Sequence, residues 1–209
     1  MEIGLRLVEG ARLAGVRRIV FSAVIHPVLS ALENHAAKVP VEEAIIASGM
    51  EYTLLHPAMF FQNYAMSWPA AVKTGILAEP YSAERRMSRV DYRDVAEAAA
   101  IALTSDRLLF GTFELCAEGY LNRHDVAELM SEALRREIKA VTMPFDVWVQ
   151  KAALPDNQDL IAGLKKMFAW YDAHSLLGSA VTLRAVLGRE PRTLQNFISE
   201  LAAKSPASA

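Results

Sequence analysis

The fold of this chain is decided by residues 18–64, which read RIVFSAVIHPVLSALENHAAKVPVEEAIIASGMEYTLLHPAMFFQNY. The run 19–24 shows no alternation of polar and apolar residues, which is typical of a parallel strand covered on both faces. A second run of this kind, 52–55, follows the Gly49 that ends the intervening helix. Because ligands bind outside the carboxyl ends of parallel strands, we expect a site where these two runs end.

The remaining periodicity predicts an α/β fold with a mostly helical second half. A helix at 2–14, with Ile3, Leu7, Ala11 and Ala14 on one face, leads into the first strand. Pro40 either kinks the helix at 34–48 or starts a second segment there. The helix that opens at 60–64 is expected to stop near Trp68-Pro69. Further helices are predicted at 92–104, 123–133, 144–152, 156–173, 180–187 and 193–203, and short strands at 76–78, 111–116 and 138–142.

Two helix starts carry capping residues, Asp91 before the helix at 92–104 and Asn122 before the next one. We expect residues 1–118 to form a partial nucleotide-binding domain, 119–204 a mostly helical lobe for substrate or partner, and 205–209 a disordered tail. The predicted architecture is the later half of a Rossmann-like parallel sheet with a mostly helical C-terminal lobe.

Composition excludes several classes of protein. The 209 residues are 53% hydrophobic and 22% charged, enough for a sizeable core in one domain, or in one domain plus a small lobe. A net charge of −2 gives no electrostatic case for binding nucleic acid. The single Cys116, the charged N-terminal segment and the lack of a long apolar run predict a soluble, cytoplasmic protein without a signal peptide or membrane span.

Several motifs together resemble the NmrA-like family of atypical short-chain dehydrogenase/reductases. They are F-S-x-x-x-H-P at 21–27, N-H-x-x-K-x-x-V-E-E-A-I-x-x-S-G at 34–49, Y-T-x-L-x-P-A-M-F-x-Q-N at 52–63, S-R-V-D-Y-R-D-V-A-E-A-A-A at 88–100 and L-G-R-E-P-R-T-L-Q-N-F at 187–197. The resemblance implies an NAD(P)-binding Rossmann-like fold. It does not choose NAD over NADP.

A glycine-rich turn is missing from this sequence. Such a turn at a helix N-terminus holds the pyrophosphate of a dinucleotide, and the ten glycines here contain no G-x-G-x-x-G or G-x-x-G-x-x-G. The resemblance implies that roughly the first half of the nucleotide-binding domain is absent from this sequence, and we expect either that Met1 is an internal start or that the sequence is incomplete. We therefore expect NAD(P)H binding by this chain alone to be weak or absent.

The resemblance places cofactor and catalytic roles on the segment 34–38. Family members of the short-chain dehydrogenase type carry a Tyr and a Lys four residues apart, the Lys binding ribose hydroxyls. Here Lys38 matches the Lys and Asn34 takes the place of the Tyr. His35 is our candidate for a replacement acid or base, because its pKa lies near neutrality. A solvated Lys38 and a surface or capping His35 are the alternatives.

The other candidate residues lie at the two strand ends. The residues assigned to the cofactor are Ser22, Lys38, His56, Pro57, Ala58, Met59 and Phe60. The residues assigned to the substrate are His26, Phe61, Asn63 and Tyr64. Ordinary packing is the alternative for the aromatic residues, and a backbone hydrogen bond for the histidines. No His, Cys and Asp spacing matches a zinc site.

Two functions follow from this pattern. One is an NAD(P)H-dependent reductase of a small carbonyl or quinone. The other is a redox-sensing regulator that binds the dinucleotide without turnover and acts on a protein partner, which the missing Tyr favours. The unpaired edge of the first strand also predicts that the chain self-associates as a homodimer or a larger aggregate.

Overall fold

The computed structural model describes residues 1–152 and 154–205 of the chain. Its helices are α1 Glu2–Leu13, α2 Glu33–Ala36, α3 Val39–Ala47, α4 Asn63–Thr74, α5 Tyr92–Thr104, α6 Arg123–Leu134, α7 Phe145–Lys151, α8 Gln158–His174, α9 Val181–Leu187 and α10 Leu194–Lys204. Its strands are β1 Arg18–Ser22, β2 Glu51–Pro57, β3 Met59–Phe60, β4 Ile76–Glu79, β5 Arg89–Val90, β6 Gly111–Leu115 and β7 Lys139–Thr142.

The main sheet is parallel and has the order β1-β2-β6. Ser22 is in register with Leu55, and Pro57 is in register with Leu115, so the three carboxyl ends lie at one edge. Thr53, Leu54 and Leu55 of the central strand are buried, as expected for a strand covered on both faces. The predicted α/β fold with parallel pairing of the first two strands is confirmed.

Two smaller parallel pairs were not predicted as pairs: β3 with β5, and β4 with β7. The second one joins residues on either side of the domain boundary predicted at residue 118. That boundary, and the division at 1–118 and 119–204, stays a prediction. In the predicted tail, Ser205 accepts a hydrogen bond from Trp68 Nε1 at 2.7 Å, and residues 206–209 lie outside the described residues.

Two predictions about helices need correction. The buried side of α1 carries Val8 with Gly4 beside Val41, whereas Ile3 and Leu7 of the predicted face are exposed. The helix has apolar residues on two sides, so periodicity alone could not choose between them. For the segment 34–48, the alternative of a second helix starting near Pro40 is confirmed, because Pro40 at the start of α3 lacks an N–H for the preceding turn.

The second correction concerns Pro69, where we expected a helix to stop. It lies inside α4, which continues to Thr74 and ends at Gly75 in the left-handed region, with φ of 70°. Pro69 itself is exposed, while Trp68 and Ala71 on the opposite side are buried against α6 and α10. Tertiary packing of that side outweighs the hydrogen bond that the proline removes.

The core consists of three clusters. One joins β2 and β6 to α5, α8 and α9, and it contains Leu55, Ala58, Leu115, Tyr171 and Leu183. A second joins α4, α6 and α10 and includes Phe61, Tyr64 and Phe197. The third packs α1 and α3 on β2. Among the described helices, none combines the length and apolarity needed to cross a membrane.

Candidate functional site

The carboxyl ends of β1 and β2 meet directly after their last residues. Ile25 N–H donates to Pro57 O at 2.9 Å, and Ala58 N–H donates to Leu115 O at 3.0 Å. The chain therefore leaves β1, β2 and β6 at one place. Ile25 and Ala58 are buried there, while the Ser22 side of β1 is open to solvent.

His26 lies at this edge with an unusual backbone. Its φ of 50° is in the left-handed region, which an L-residue other than glycine adopts rarely. Its Nε2 lies 2.6 Å from Leu177 O, and its Nδ1 lies 3.5 Å from Glu114 Oε2. The ring thus bridges the loop after β1, the end of β6 and the loop between α8 and α9.

The loop between α8 and α9 was not predicted to be part of the site. Ser88 N–H donates to Leu176 O at 2.8 Å, and the Ser88 hydroxyl both accepts from Gly178 N and donates to Gly178 O. A Cβ on Gly178 would lie 2.4 Å from Glu114 Oε1 and 2.6 Å from Cys116 Sγ. The loop therefore closes on the sheet edge where only a glycine fits.

A cleft of about 380 Å³ borders this loop. Its walls come from the segment after β6 and from the start of α9, including Glu118, Tyr120, Ser179 and Arg184. Arg184 pairs with Glu118 at 2.8 Å across it. From the wall of the cleft, Ser179 donates its backbone N–H to Glu114 Oε1 at 2.9 Å.

His35 is almost fully buried, with 1% exposure, so the alternative of a surface histidine is wrong. Its Nδ1 lies 3.3 Å from His26 O, whereas its Nε2 has no hydrogen-bond partner among the described residues. Burial lowers the pKa of His35, and the nearby positive charge of Lys38 acts in the same direction. A neutral ring is the form that this environment favours.

Lys38 follows one turn later, between α2 and α3. Its backbone N–H donates to His35 O at 2.9 Å, and its side chain is half-buried. No described residue forms a hydrogen bond or ion pair with its ammonium group. Asn34 is exposed, and its Nδ2 lies 3.8 Å from Met167 Sδ of α8. The Asn34 amide thus faces α8.

The other cofactor candidates divide into two groups. Pro57 and Ala58 are buried at the end of β2, and Met59 and Phe60 pack partly buried against the same cluster as Ile25. His56 instead turns toward α3, where its Nε2 lies 2.9 Å from Glu42 Oε1. That strand-to-helix contact occupies the polar edge of its ring.

Of the substrate candidates after β3, two are not brought to this edge. Phe61 and Tyr64 are buried in the second cluster, where Phe61 lies 6.0 Å from Phe197 and Arg89 lies over the Tyr64 ring. Burial raises the pKa of Tyr64 to about 12. Asn63 is exposed at the start of α4. The substrate roles of all three stay predictions, and this geometry adds nothing to them.

Gln62, in the same motif, has a role that the sequence did not reveal. Its Nε2 donates to Asp91 Oδ1 at 2.9 Å, and its Oε1 accepts Tyr92 N–H at 3.0 Å. It joins the segment after β3 to the start of α5. Within the described residues, no group of three or more His, Cys, Asp and Glu could hold a metal ion.

A parallel sheet with helices packed on it, and with loops gathered at the carboxyl ends of its strands, is the arrangement of the Rossmann-like class of α/β proteins. The model of the NmrA-like family matches residues 1–198, and the chain belongs to that family. Quinone oxidoreductase 2 of Escherichia coli (strain K12) is 25% identical over 205 residues, covering 93% of this chain and 68% of the relative. The NAD(P)H azoreductase of Xenophilus azovorans is 26% identical over 207 residues, covering 94% and 69%.

Solved structures share the fold. The NADPH-dependent quinone oxidoreductase from Escherichia coli superposes with a TM-score of 0.83 at 21% identity, covering 96% of this chain and 73% of that one. The negative transcriptional regulator Nmra in complex with NAD has a TM-score of 0.72 at 16% identity, covering 97% and 69%.

Proposed function

We propose that this protein is an NAD(P)H-dependent oxidoreductase that reduces a small quinone or carbonyl compound at the carboxyl ends of β1 and β2. The observation that carries the proposal is Lys38, a half-buried residue one turn after His35 whose ammonium group has no hydrogen-bond or ion-pair partner among the described residues. A half-buried lysine whose three N–H donors form no hydrogen bond with the described residues is available to a ligand. The curated relatives, named as a quinone reductase and an azoreductase, support the reaction class.

The residues present fit the nicotinamide end of a dinucleotide. Lys38 would donate to the ribose hydroxyls, and the solvent-exposed hydroxyl of Ser22 lies at the end of the neighbouring strand. Pro57 ends β2, and the small Ala58 that follows it would border the nicotinamide ring. When bound, the reduced nicotinamide supplies the hydride. Met59 and Phe60 give the site an apolar side that suits a planar acceptor.

A regulator that binds the dinucleotide without turnover is the second candidate. It is favoured by Asn34, which has no titratable proton where the family's dehydrogenases carry a Tyr. In that case the helical lobe would contact a protein partner. The two candidates differ in turnover and not in cofactor binding.

The experiment measures binding and turnover separately. NADPH and NADH are titrated up to millimolar concentration, since weak binding is expected without a glycine-rich turn. Oxidation of each is then followed with a panel of quinones and aldehydes. Lys38→Ala should weaken binding by about ten- to a hundredfold, the value of a hydrogen bond to a charged group.

Lys73→Ala is the matched control, because Lys73 is an exposed lysine in the last turn of α4. Unchanged affinity in Lys38→Ala would contradict the assignment of Lys38. Binding without oxidation of the cofactor by any acceptor would favour the regulator.

A further inference from the structure

The neighbours of His26 offer its ring a place for a second proton. A carbonyl oxygen only accepts, so the 2.6 Å contact with Leu177 O means that Nε2 carries a hydrogen. In a neutral ring Nδ1 then has a lone pair, and it faces Glu114 Oε2 at 3.5 Å. Two acceptors would face each other. A proton on Nδ1 converts this arrangement into an ion pair.

Glu114 is held in the orientation that this ion pair needs. Its other oxygen, Oε1, accepts Ser179 N–H at 2.9 Å and lies 3.9 Å from the Cys116 thiol, which donates to it. Burial and the Glu114 charge raise the pKa of Cys116 to about 12, so the thiol keeps its hydrogen. With Oε1 occupied by two donors, Oε2 is left for His26.

The loop that receives Nε2–H cannot easily turn away. Ser88 fixes it on both sides of Leu177, through Leu176 O at 2.8 Å and Gly178 N at 2.8 Å. The strained backbone of His26, with φ of 50°, holds the ring from the other side. Residues in such sparsely populated regions persist where the surrounding structure fixes them, and they cluster at functional sites.

The pair remains in contact with solvent. The side chains of His26 and Glu114 are 35% and 29% exposed, so water can return a proton to them. The charged and titratable groups that face the pair are Cys116, directly after β6, and His35 on α2, with Lys38 one turn beyond His35. His26 follows β1, and Glu114 lies in β6. These two strands lie on either side of β2, which ends at Pro57.

We propose that His26 and Glu114 form a proton-holding pair that protonates the reduced acceptor. The inference rests on the proposed reductase function. It assigns to His26 the general-acid role that Asn34, an amide without a titratable proton, cannot fill. Hydride adds two electrons and one hydrogen to the quinone, which leaves a negative oxygen. The Nδ1–H bond of His26 then breaks, an O–H bond forms on that oxygen, and water reprotonates Nδ1 against the Glu114 carboxylate.

The first arm of the test needs no cofactor. In the full chain with ¹⁵N-labelled histidine, we expect the Nδ1 of His26 to be protonated in a larger fraction of molecules than in Glu114→Gln at the same slightly acidic pH. Nε2 should stay protonated in both. Glu84→Gln is the matched control, because His124 Nε2 pairs with Glu84 Oε1 at 2.9 Å on the exposed surface. A His26 ring with Nδ1 unprotonated throughout pH 5–8, or unaffected by Glu114→Gln, would overturn the inference.

The second arm is kinetic. A general acid contributes about 10²–10⁴ in rate, so kcat in His26→Asn should fall by about a hundredfold or more while KM changes little. Glu114→Gln should shift the pH at which kcat declines toward lower pH, since the imidazolium loses its negative partner. Glu84→Gln should leave the pH profile of kcat unchanged. If Glu114 had only a structural role, Glu114→Gln would leave that profile unchanged as well.

The two proposals fail separately. If the wild-type chain oxidises no NAD(P)H, the reductase function fails, and the histidine spectra still decide whether the pair holds a proton. If turnover is present and kcat in His26→Asn stays within a few fold of wild type, only the proton-holding role fails.

Discussion

Asp94 in α5 accepts the backbone N–H of Arg192 at 2.7 Å and also receives the Arg192 guanidinium. Arg189 adds a further bond to the same carboxylate at 2.8 Å, and Asp94 itself is fully buried. This contact joins the sequence motif at 88–100 to the one at 187–197. Although the two motifs are far apart in sequence, each supplies one side of a single interaction.

Replacement of Asp94 should therefore cost stability. Asp94→Asn removes the charge that two arginines share, and we expect the free energy of unfolding to fall by about 2 kcal/mol. Glu97→Gln is the control, because Glu97 contacts the same Arg189 from a half-exposed position. It should cost less than about 1 kcal/mol. Urea denaturation measures both, and equal losses would contradict the special role of Asp94.

Gly178 gives a second stability prediction. The Cβ of Gly178→Ala would collide with Glu114, Ile25 and Cys116, so we expect a loss of about 1–3 kcal/mol from overpacking. Gly163→Ala is the control, since open space surrounds Gly163 in helix α8. That change should stabilise the protein by up to about 1 kcal/mol. Thermal unfolding that ranks the two variants in the opposite order would contradict this packing.

His35 predicts a particular pH dependence of stability. Burial lowers its pKa in the folded state, so the unfolded chain binds a proton at a higher pH than the folded one. Its contribution is fully present above the ordinary value of about 6.5 and is lost as the pH falls below it. His35→Leu should flatten the decline in unfolding free energy on the acid side. His124→Gln, at an exposed histidine, should leave this decline as it is in the wild type. A decline that His35→Leu does not flatten would show that His35 is not its cause.

Self-association is the prediction for the outer surface of α1 and β1. Among the described residues β1 pairs only with β2, and the neighbouring helix exposes 77% of Ile3 and 68% of Leu7. Unpaired strand edges and exposed apolar groups both favour contact with another chain. Light scattering at tens of micromolar should show dimers or larger species, and Leu7→Lys should reduce them.

Met66→Lys is the control for that experiment, because Met66 is 85% exposed on α4, away from this edge. A monodisperse wild-type monomer would contradict the prediction. Equal effects of the two lysine variants would show that association does not use the α1 surface.

Local signals predicted much of the fold. The apolar runs indicated β1 and β2, and the capping residues Asp91 and Asn122 accept the N–H groups of Arg93 and Asp125 as expected. These features depend on neighbours in the sequence. The exposed side of α1 and the continuation of α4 through Pro69 depend on packing against distant residues, so periodicity and propensity could not give them.

The candidate site was only partly predictable for the same reason. The strand ends and Lys38 follow from the sequence pattern, but the contact of His26 with Leu177 joins residues 151 positions apart. Nothing local in the loop between α8 and α9 indicates that it closes on β6. A signal was present in Gly178, whose meaning appears only once Glu114 and Cys116 surround it.

The most direct test of the account uses reduced nicotinamide mononucleotide, which carries the nicotinamide and its ribose without the adenylate half of NADPH. We expect it to bind this chain within about tenfold of the affinity of NADPH, because the sequence offers Lys38 for the ribose and no glycine-rich turn for the pyrophosphate. In ¹H–¹⁵N spectra its addition should shift the amides of Ser22, His26, Lys38 and Ala58. An absence of shifts at these residues, or their persistence unchanged in Lys38→Ala, would contradict the claim that this sheet edge holds the nicotinamide.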